Sequence, residues 1–295
     1  MDTVTYDLKW GQELASRISK QLTTEIGRIR AEPSLIPVVL TPSRYEDVVQ
    51  SYRITPPPVV AGAAPAIHAR SITSKNSKLP PIKISSRFVV AQQQFSDESL
   101  AVRLAVRCAS DLAYAEDDII LNGNLAELAA NNVKDESDTL EDQEGLFEAA
   151  LTAAAVAAAL PPPVPPTPTP LAPGASVVTS VFVALEALQR RNHRGPYCVI
   201  VSPDLHREAM MPSGTGSSAL IDPVLPQLRP RGFRWSQAAP RRTGVVFSLG
   251  GGALDMPILW DAHVECRRVE GDATFVVVQQ FRLRINDPGA IEVLS

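Results

Sequence analysis

The longest helical pattern in the sequence limits the folds open to the chain more than any other feature. Apolar side chains recur at helical spacing from Leu100 to Ile119. Ser96 precedes them as a good N-cap residue, and Gly123 follows as a residue that can close a helix. The pattern predicts one helix of about 26 residues, roughly 39 Å long at 1.5 Å per residue. We expect a helix of that length to form the spine of a domain.

Composition places the chain among globular proteins with one large domain or two ordinary ones. Its 295 residues are 45% hydrophobic, and 28 basic against 32 acidic side chains give a net charge of −4. A protein whose main task is to neutralise phosphates needs a basic surplus, so nucleic acid is an unexpected main partner. No apolar stretch approaches the roughly 20 residues that cross a bilayer, and Met1–Asp7 has no secretory features. We therefore expect a soluble, cytoplasmic protein without a membrane partner.

Three other segments have readable patterns. Residues 6–30 place apolar side chains at mostly fourfold spacing, which is typical of an amphipathic helix. Residues 54–76 are rich in Pro, Ala, Thr and Ser and predict a long extended loop that can reach a neighbouring subunit. From Gly244 onward the pattern indicates β-structure, with a hairpin turn at Glu270–Asp272. The remaining predicted elements are a strand or strand pair within 79–95, a helix over 177–191, a strand over 197–201 and a helix that starts at Pro203.

Residues 124–174 interrupt this regular pattern. They contain an acidic stretch at 131–144, an alanine-rich helix, and a segment at 161–173 with eight prolines in thirteen residues. Proline donates no backbone hydrogen bond, and such segments bury little apolar area. We therefore expect 131–144 and 161–173 to lie in solvent on either side of the alanine-rich helix.

No group of residues in the sequence indicates a catalytic or metal site. The four histidines are scattered and there is no Cys-x-x-Cys, so we expect neither a metal nor a cofactor. Ser202, Asp204 and His206 are close in sequence, but helix capping with an exposed His206 is favoured over a hydrolase triad. The glycine-rich segments at 214–216 and 250–252 are interpreted as a flexible loop and a turn. The three cysteines are interpreted as buried thiols: Cys108, Cys198 and Cys266.

A local charge surplus stands out in this acidic chain. Residues 190–242 contain nine arginines and three acidic residues. Two interpretations stay open. The arginines form ion pairs with acidic partners elsewhere on the chain at interfaces, or they form a positive rim that attracts small anions or contacts nucleic acid.

The order of these elements resembles that of the encapsulin nanocompartment shell proteins, which share the fold of tailed-phage major capsid proteins. The N-terminal helix with Trp10 is similar to the family's opening helix, and 79–95 is similar to the strand before its spine helix. Glu116–Gly123 is similar to the acidic end of that helix, Gly195–Ser202 to a Gly-Pro-Tyr strand, and 281–291 to the C-terminal strand. These five matches follow the family's order over nearly the whole chain.

The resemblance implies an α+β protein with the tailed-phage capsid-type fold. Such a fold has an N-terminal helix, an extension loop, a peripheral domain with a long spine helix, and an axial domain. The implied boundaries are 1–53 for the helix and arm, 54–76 for the extension loop, 77–189 and 246–295 for the peripheral domain with its insertion at 124–174, and 190–245 for the axial domain.

The resemblance also implies a function without catalysis. Many copies would assemble into a closed icosahedral compartment in the cytoplasm, admit small solutes through pores, and enclose a cargo enzyme. A peroxidase or a ferritin-like enzyme, docked by a short targeting tail, is the expected cargo. The alternatives are a phage or prophage major capsid protein that packages DNA and a soluble enzyme with an unrecognised site. The first alternative is disfavoured because the resemblance starts near Tyr6 and leaves no room for a scaffolding segment.

Three sets of site residues follow from the resemblance. Cargo is expected at the apolar stripe of the N-terminal helix, packed on the peripheral domain beside a groove open to the lumen, although the stripe could also be intrachain core. The loop from Met211 to Leu220 is expected to line a pore, and arginines near it to favour anions. The cargo-binding residues are Leu14, Ile18, Leu22 and Ile26; the pore-lining residues are Met211, Pro212, Ser213, Gly214, Thr215, Gly216 and Ser217; the rim residues are Arg207, Arg241 and Arg242.

Overall fold

Two hydrophobic cores organise the part of the chain that the structure describes. The structure is a computed structural model, and it describes residues 8–29, 36, 38–40, 49–55, 71–123, 133–137, 143–157, 168–173, 176–212 and 218–294. The first core lies between two long helices and a six-stranded sheet. The second core lies on a four-stranded sheet.

The first core is built from α1 (Leu8–Ile29), α2 (Glu98–Asn122) and the larger sheet. The strands of that sheet follow the order β1, β9, β10, β4, β5, and β11 pairs with β9 outside this order. Strand β1 is parallel to β9, and the other pairs are antiparallel. The strands are β1 (Val38–Leu40), β4 (Ile82–Val90), β5 (Val133–Asp135), β9 (Leu254–Glu270), β10 (Asp272–Phe281) and β11 (Arg284–Ile285).

Helix α2 is the predicted spine, and its ends are set by local capping. Its N-cap is Asp97, one residue after the predicted Ser96, because the Asp97 side chain accepts a hydrogen bond from Leu100 N–H at 3.1 Å. At the other end Gly123 has φ +72°, and its N–H donates to Ile119 O at 3.0 Å. The prediction of one long helix is confirmed at 25 residues.

Strands β2 (Val49–Thr55) and β3 (Ser71–Leu79) form a separate two-stranded antiparallel sheet. The segment 54–76 was predicted as a loop throughout, and this is wrong for 54–55 and 71–76, because they belong to β2 and β3, where Ile54 pairs with Ile72 and Thr55 with Ser71. Residues 56–70 lie outside the described residues. The predicted extension loop therefore starts and ends in a paired arm.

The second core uses strands β6 (Tyr197–Val201), β7 (Leu228–Trp235), β8 (Gly244–Ser248) and β12 (Ile291–Val293). The sheet order is β12, β8, β6, β7; β6 is parallel to β7, and the other pairs are antiparallel. Helices α4 (Val177–Arg190) and α5 (Pro203–Ala209) cover one face. The predicted boundary between the peripheral and axial domains at 189–190 stays a prediction; the buried side chains of α4, on the peripheral side of it, belong to this second core.

The two cores share the four-stranded sheet. Because successive side chains of a strand point to opposite faces, Cys198 joins the first core and Val199 the second. Likewise Phe247 joins the first core and Val246 the second. The sheet therefore joins the two cores along the lengths of its strands.

Parts of the insertion belong to the cores. Strand β5 pairs with β4, and its Val133 is 4% exposed. Leu171 in the proline-rich segment is 5% exposed in the second core, and its N–H donates to Arg242 O at 2.8 Å. The expectation that 131–144 and 161–173 stay in solvent is therefore wrong at these residues, because single apolar side chains there find a packed site. Residues 138–142 and 158–167 lie outside the described residues.

A glycine pair lets α2 end against the start of α3 (Leu146–Ala157). A Cβ atom on Gly123 would lie 2.5 Å from Gln143 O and 2.7 Å from Gly145 N. A Cβ on Gly145 would lie 2.4 Å from Gly123 N. Backbone thus packs directly on backbone, and this contact seats the buried face of α3 in the first core.

Candidate functional site

The apolar stripe of α1, predicted to receive cargo, is part of the first core. Leu14 is 2% exposed, and Ile18 and Leu22 are 0% exposed. The helix is also tied to β9, because Val264 N–H donates to Ser19 Oγ at 2.9 Å. A docked tail would therefore contact neighbours of these three side chains rather than the side chains themselves. The side chain of Ile26 lies outside the described residues, and the groove expected beside the stripe stays a prediction.

The two described ends of the predicted pore loop pair with each other and form a closed base. Pro212 and Ala219 form an antiparallel bridge, and Leu220 N–H donates to Met211 O at 2.9 Å. Met211 and Pro212 are exposed at this base. The central pore-lining candidates, Ser213, Gly214, Thr215, Gly216 and Ser217, lie outside the described residues, so their role stays a prediction.

The arginines predicted for the pore rim have different environments. Arg207 is exposed on α5. The Arg241 side chain is 90% exposed, with its Nε 4.0 Å from Asp204 Oδ2. The Arg242 side chain is only 19% exposed and lies 3.3 Å from Glu208 Oε2. Arg207 and Arg241 can contribute to a surface potential, whereas the charge of Arg242 is neutralised within the chain.

Arg242 links the proline-rich segment to α5. Its Nε donates to Leu171 O at 2.8 Å and its second terminal nitrogen to Ala172 O at 3.1 Å, beside the contact with Glu208. Its φ is +57°, which is uncommon outside glycine and indicates that surrounding bonds hold the residue in place. The structure therefore does not support a pore-rim role for Arg242, and it assigns the residue a positioning role that no motif in the sequence signalled.

Ser202, Asp204 and His206 do not form a catalytic relay. Ser202 Oγ donates to Asp204 Oδ1 at 2.6 Å, while the His206 ring stacks on Phe233 with centroids 5.3 Å apart. Burial raises the pKa of Asp204, but hydrogen bonds from Ser202 and from backbone N–H groups outweigh it and hold that pKa below its usual range. His206 was predicted to be exposed, but it is half-buried, and this burial lowers its pKa. Asp204 accepts backbone hydrogen bonds at the start of α5, and His206 packs this helix against Phe233 of β7.

The C-terminal end of α2 contacts the segment between β7 and β8. Ser236 Oγ donates to Asp117 Oδ2 at 2.8 Å, and Asn122 Nδ2 donates to Ala238 O at 2.9 Å. Ala238 N–H in turn donates to Ser236 Oγ at 3.2 Å. These bonds make a polar junction between the spine helix and the edge of the second core.

Asp117 lies between two other carboxylates on α2, and each of these has its own partner. Glu116 accepts from Gln279 Nε2 at 2.7 Å, and Asp118 accepts from Asn122 Nδ2 at 2.5 Å. Burial, with smaller contributions from the neighbouring Glu116 and Asp118 charges, raises the pKa of Asp117 to about 6 against the opposing hydrogen bond from Ser236. The Asp117 residue keeps part of its surface exposed, and water there limits the energetic size of this effect.

Other reactive groups in the described residues are placed in packing or turns. No group of three or more His, Cys, Asp or Glu among them is arranged to hold a metal ion. Cys108 and Cys198 are buried thiols and Cys266 is a half-buried one, none of them in a disulfide, and burial raises the pKa of Cys198 to about 11. The segment 250–252 forms the predicted turn, with φ +69° at Gly251. None of the helices in the described ranges is long and apolar enough to cross a membrane.

Solved structures with the same architecture match nearly the whole chain. The chain is similar to the virus-like particle from Pyrococcus furiosus, with a TM-score of 0.61 and 15% identity over 95% of this chain and 98% of that one. It is similar to a structure from Mycobacterium phage Adephagia, with a TM-score of 0.54 and 12% identity over 89% and 88% of the two chains. It is also similar to the capsid of a native GTA particle, with a TM-score of 0.51 and 12% identity over 88% and 87%.

No protein-family model matches the sequence, and no curated protein matches it. The agreement with solved structures is therefore an agreement of fold. Because it covers 95% of this chain, the agreement with the virus-like particle includes most of both cores. The predicted fold class is confirmed: the chain is an α+β protein with the tailed-phage capsid-type fold.

Proposed function

We propose that the chain is the shell protein of an encapsulin-type nanocompartment, a closed icosahedral particle in the cytoplasm that encloses a cargo enzyme and admits small solutes. The observation that carries the proposal is the agreement with the virus-like particle from Pyrococcus furiosus over 95% of this chain and 98% of that one. A chain that shares a fold along both lengths has the elements needed to make the same kinds of contacts between copies.

The side chains that the sequence offers as candidates for catalysis take part in packing contacts. Ser202 bonds to Asp204, His206 stacks on Phe233, and the Cys198 thiol is 0% exposed in a strand between the two cores. These contacts support a protein that acts by assembly rather than by catalysis, and they leave the enzyme hypothesis without named residues.

A phage or prophage major capsid protein that packages DNA is the second candidate. It is supported by the fold shared with Mycobacterium phage Adephagia and with the GTA capsid, at TM-scores of 0.54 and 0.51. The virus-like particle has the higher TM-score of 0.61, which favours the nanocompartment.

Particle formation is the first test. Size-exclusion chromatography and negative-stain electron microscopy of the purified chain should show closed particles of uniform diameter. A chain that stays a monomer or a dimer under native conditions would contradict both candidates. Absorbance at 260 nm then separates them, since packaged DNA absorbs strongly there and a protein cargo does not. Mass spectrometry of the particles should identify the enclosed enzyme.

Pore selectivity is a second part of the proposal. The exposed Arg207 and Arg241 support a positive rim beside the 211–220 loop. Arg207→Glu with Arg241→Glu should slow the turnover of a small anionic substrate by the enclosed enzyme and leave a neutral substrate unaffected. Arg190→Glu is the matched control, because Arg190 is an exposed arginine on α4. Equal anion turnover in all variants would remove the electrostatic part of the proposal.

A further inference from the structure

Two of the four methionines are exposed side by side at the end of α5. Met210 is 44% exposed and Met211 is 51% exposed, whereas Met256 is 1% exposed in the first core. Methionine is among the residues most often buried, because its side chain is apolar. The folded chain therefore exposes two neighbouring thioether side chains that packing alone does not explain.

The backbone places Met210 beside His206. Met210 N–H donates to His206 O at 3.0 Å, so the last turn of α5 continues through Met210, which has φ −86° and ψ −1°. Residues four apart in a helix are neighbours, and a long side chain at the later position leans back over the earlier one. The next residue is fixed as well, because Met211 N–H donates to Glu208 O at 3.2 Å and Met211 O accepts from Leu220 N–H at 2.9 Å. Only flexible side chains must therefore rearrange to meet a ligand.

The His206 ring is held by stacking on Phe233, with centroids 5.3 Å apart. Among the described residues neither ring nitrogen has a hydrogen-bond or ion-pair partner, and neither is one of the buried side-chain atoms that lack such a partner. Burial lowers the pKa of His206, so the ring is neutral at pH 7 and one nitrogen has an available lone pair. The ring therefore offers an unused nitrogen ligand at the surface.

The indole ring of Trp235 lies near the same imidazole. The two ring centroids are 6.5 Å apart with the planes tilted by 56°, and Trp235 is 50% exposed. The face of an indole attracts a cation that lies within about 6 Å of its centroid. An unused imidazole nitrogen, an adjacent thioether and an exposed indole therefore meet at the end of α5.

We propose that His206, Met210 and Met211 bind a soft monovalent metal ion, Cu(I), with the indole of Trp235 beside it. Thioethers are soft ligands that select Cu(I), and imidazole also binds copper. We name these three ligands the α5 metal site. The inference goes beyond the proposed shell function, because binding at this site needs neither assembly nor cargo.

The charges around the α5 metal site disfavour a divalent ion. Arg207 is exposed on the same helix and repels a doubly charged ion more strongly than a singly charged one. The acidic side chains of this part of the sequence already have partners in the chain: Asp204 accepts from Ser202 Oγ, Glu208 from Arg242 and Asp222 from Ala219 N–H. Calcium and magnesium need oxygen ligands, and zinc sites are built from thiolates, several imidazoles or carboxylates. A neutral set of one imidazole and two thioethers fits none of these ions.

Metal titration of the native chain tests the site. The probes are Ag(I) nitrate in chloride-free buffer, as a soft monovalent ion that is stable in air, and Cu(I) under anaerobic competition with bathocuproine disulfonate. Met210→Leu with Met211→Leu keeps the apolar bulk and removes both sulfurs, so it should weaken binding of both ions by at least about tenfold. Met256→Leu is the matched control, because it makes the same chemical change inside the first core, and it should bind like the native chain. Ions held by the three cysteines bind equally in all of these variants.

Tryptophan fluorescence locates the ion. Binding should change the emission of the native chain, and Trp235→Phe should remove most of this change, because Trp10 packs on Phe95 in another part of the chain. A change that persists in Trp235→Phe would overturn the placement of the ion beside Trp235. Zn(II) bound as tightly as Ag(I) would overturn the assignment to a soft ion.

A third variant covers the case in which the two leucines shift the urea transition. His206→Phe retains an aromatic ring against Phe233 and removes the nitrogen ligand, so it should weaken Ag(I) and Cu(I) binding as well. Binding equal to that of the native chain in His206→Phe, or in the double leucine variant, would overturn the α5 metal site. Because these measurements are made per chain, failure to form particles would contradict the shell function and leave this result unchanged.

Discussion

Two charged groups, one beside each core, differ in where they find partners. Beside the first core, the Glu136 carboxylate is paired within the chain, because it lies 2.9 Å from Lys83 Nζ and 3.3 Å from Arg267. Around the second core, Arg229 and Arg231 have no carboxylate partner among the described residues. The comparison teaches that a charged group folded into the chain can be satisfied there, while Arg229 and Arg231 present charge that an outside partner can satisfy.

The cores also differ in the length of their elements. The first core uses a helix of 25 residues and a strand of 17 residues, whereas the sheet of the second core has no described strand longer than the eight residues of β7. Long elements bury large side chains in continuous rows, so the first core should contribute the larger single-residue effects on stability. The predictions below test this difference in order of expected size.

The largest effect is expected at Phe275 in the first core. Its ring is 0% exposed and stacks on Phe88 with centroids 5.3 Å apart. Phe275→Ala leaves a cavity and should lower the free energy of unfolding by about 3–5 kcal/mol. Urea titration at one fixed protein concentration measures this, because assembly adds a concentration-dependent term.

The surface of the second core supplies the control for that variant. Val183 on α4 is 56% exposed, and Val183→Ala should change the free energy of unfolding by less than about 0.5 kcal/mol. If Val183→Ala lowers the free energy of unfolding as much as Phe275→Ala does, Val183 is buried in the assembled protein. The contrast between a buried first core and an exposed α4 face would then be wrong.

Neighbouring arginines provide the next test. Arg242→Ala removes the bonds to Leu171 O and Ala172 O and leaves Glu208 without that cation, so it should cost about 2 kcal/mol of unfolding free energy. Arg241→Ala removes an exposed side chain and should cost less than about 0.5 kcal/mol. Urea titration of both variants gives the difference. Equal losses would mean that Arg242 does not hold the proline-rich segment on α5.

The junction between the cores should respond to pH. The pKa of Asp117, raised to about 6, exceeds its value in the unfolded chain, so the folded state binds this proton more tightly. The carboxyl group therefore disfavours folding increasingly as the pH rises from about 4 to about 6. Asp117→Asn removes this penalty and should stabilise the chain by about 1 kcal/mol at pH 7, a figure reduced for the partial exposure of the residue.

The pH profile contains its own control. The gain from Asp117→Asn should shrink to a small fraction at pH 4, where Asp117 is protonated in the folded chain and about half protonated in the unfolded chain. Ser236→Ala removes the partner of Asp117 and should not reproduce the pH-dependent gain. A gain of equal size at pH 4 and pH 7 would show that the amide stabilises by a contact unrelated to charge.

Sequence patterns were sufficient where the determining residues lie close together. The spine helix has its periodicity, its capping aspartate and Gly123 within one segment, and the β9–β10 hairpin turns at Gly271 as predicted, with φ +71°. Periodicity also identified the apolar face of α1. It could not show that Leu14, Ile18 and Leu22 are covered, because the strand that covers them lies more than 200 residues further along the chain.

The sequence was insufficient where partners are remote. Arg242 bonds to Leu171, 71 positions away, and to Glu208, 34 positions away, so no local pattern distinguishes it from the exposed Arg241. The core that α4 joins could not be predicted for a related reason. Its apolar face fits any apolar sheet, and only the three-dimensional structure shows that it packs in the second core.

The smallest effect is expected at the start of the spine helix, where the structure places the cap one residue later than the sequence suggested. Hydrogen bonds from Ser99 Oγ and Leu100 N–H hold the pKa of Asp97 below its usual range, so the cap stabilises the helix when it is ionised. Asp97→Ala should lower the Tm at pH 7 by a small but measurable amount, and Ser96→Ala should not. Because the pKa of Asp97 is depressed in the folded chain, the loss of Tm in Asp97→Ala should shrink as the pH falls through that pKa. Thermal unfolding followed by circular dichroism at neutral and acidic pH measures both effects. A larger loss of Tm in Ser96→Ala than in Asp97→Ala would show that Ser96 is the N-cap residue. A loss of Tm in Asp97→Ala that does not depend on pH would show that the Asp97 charge does not contribute to helix stability.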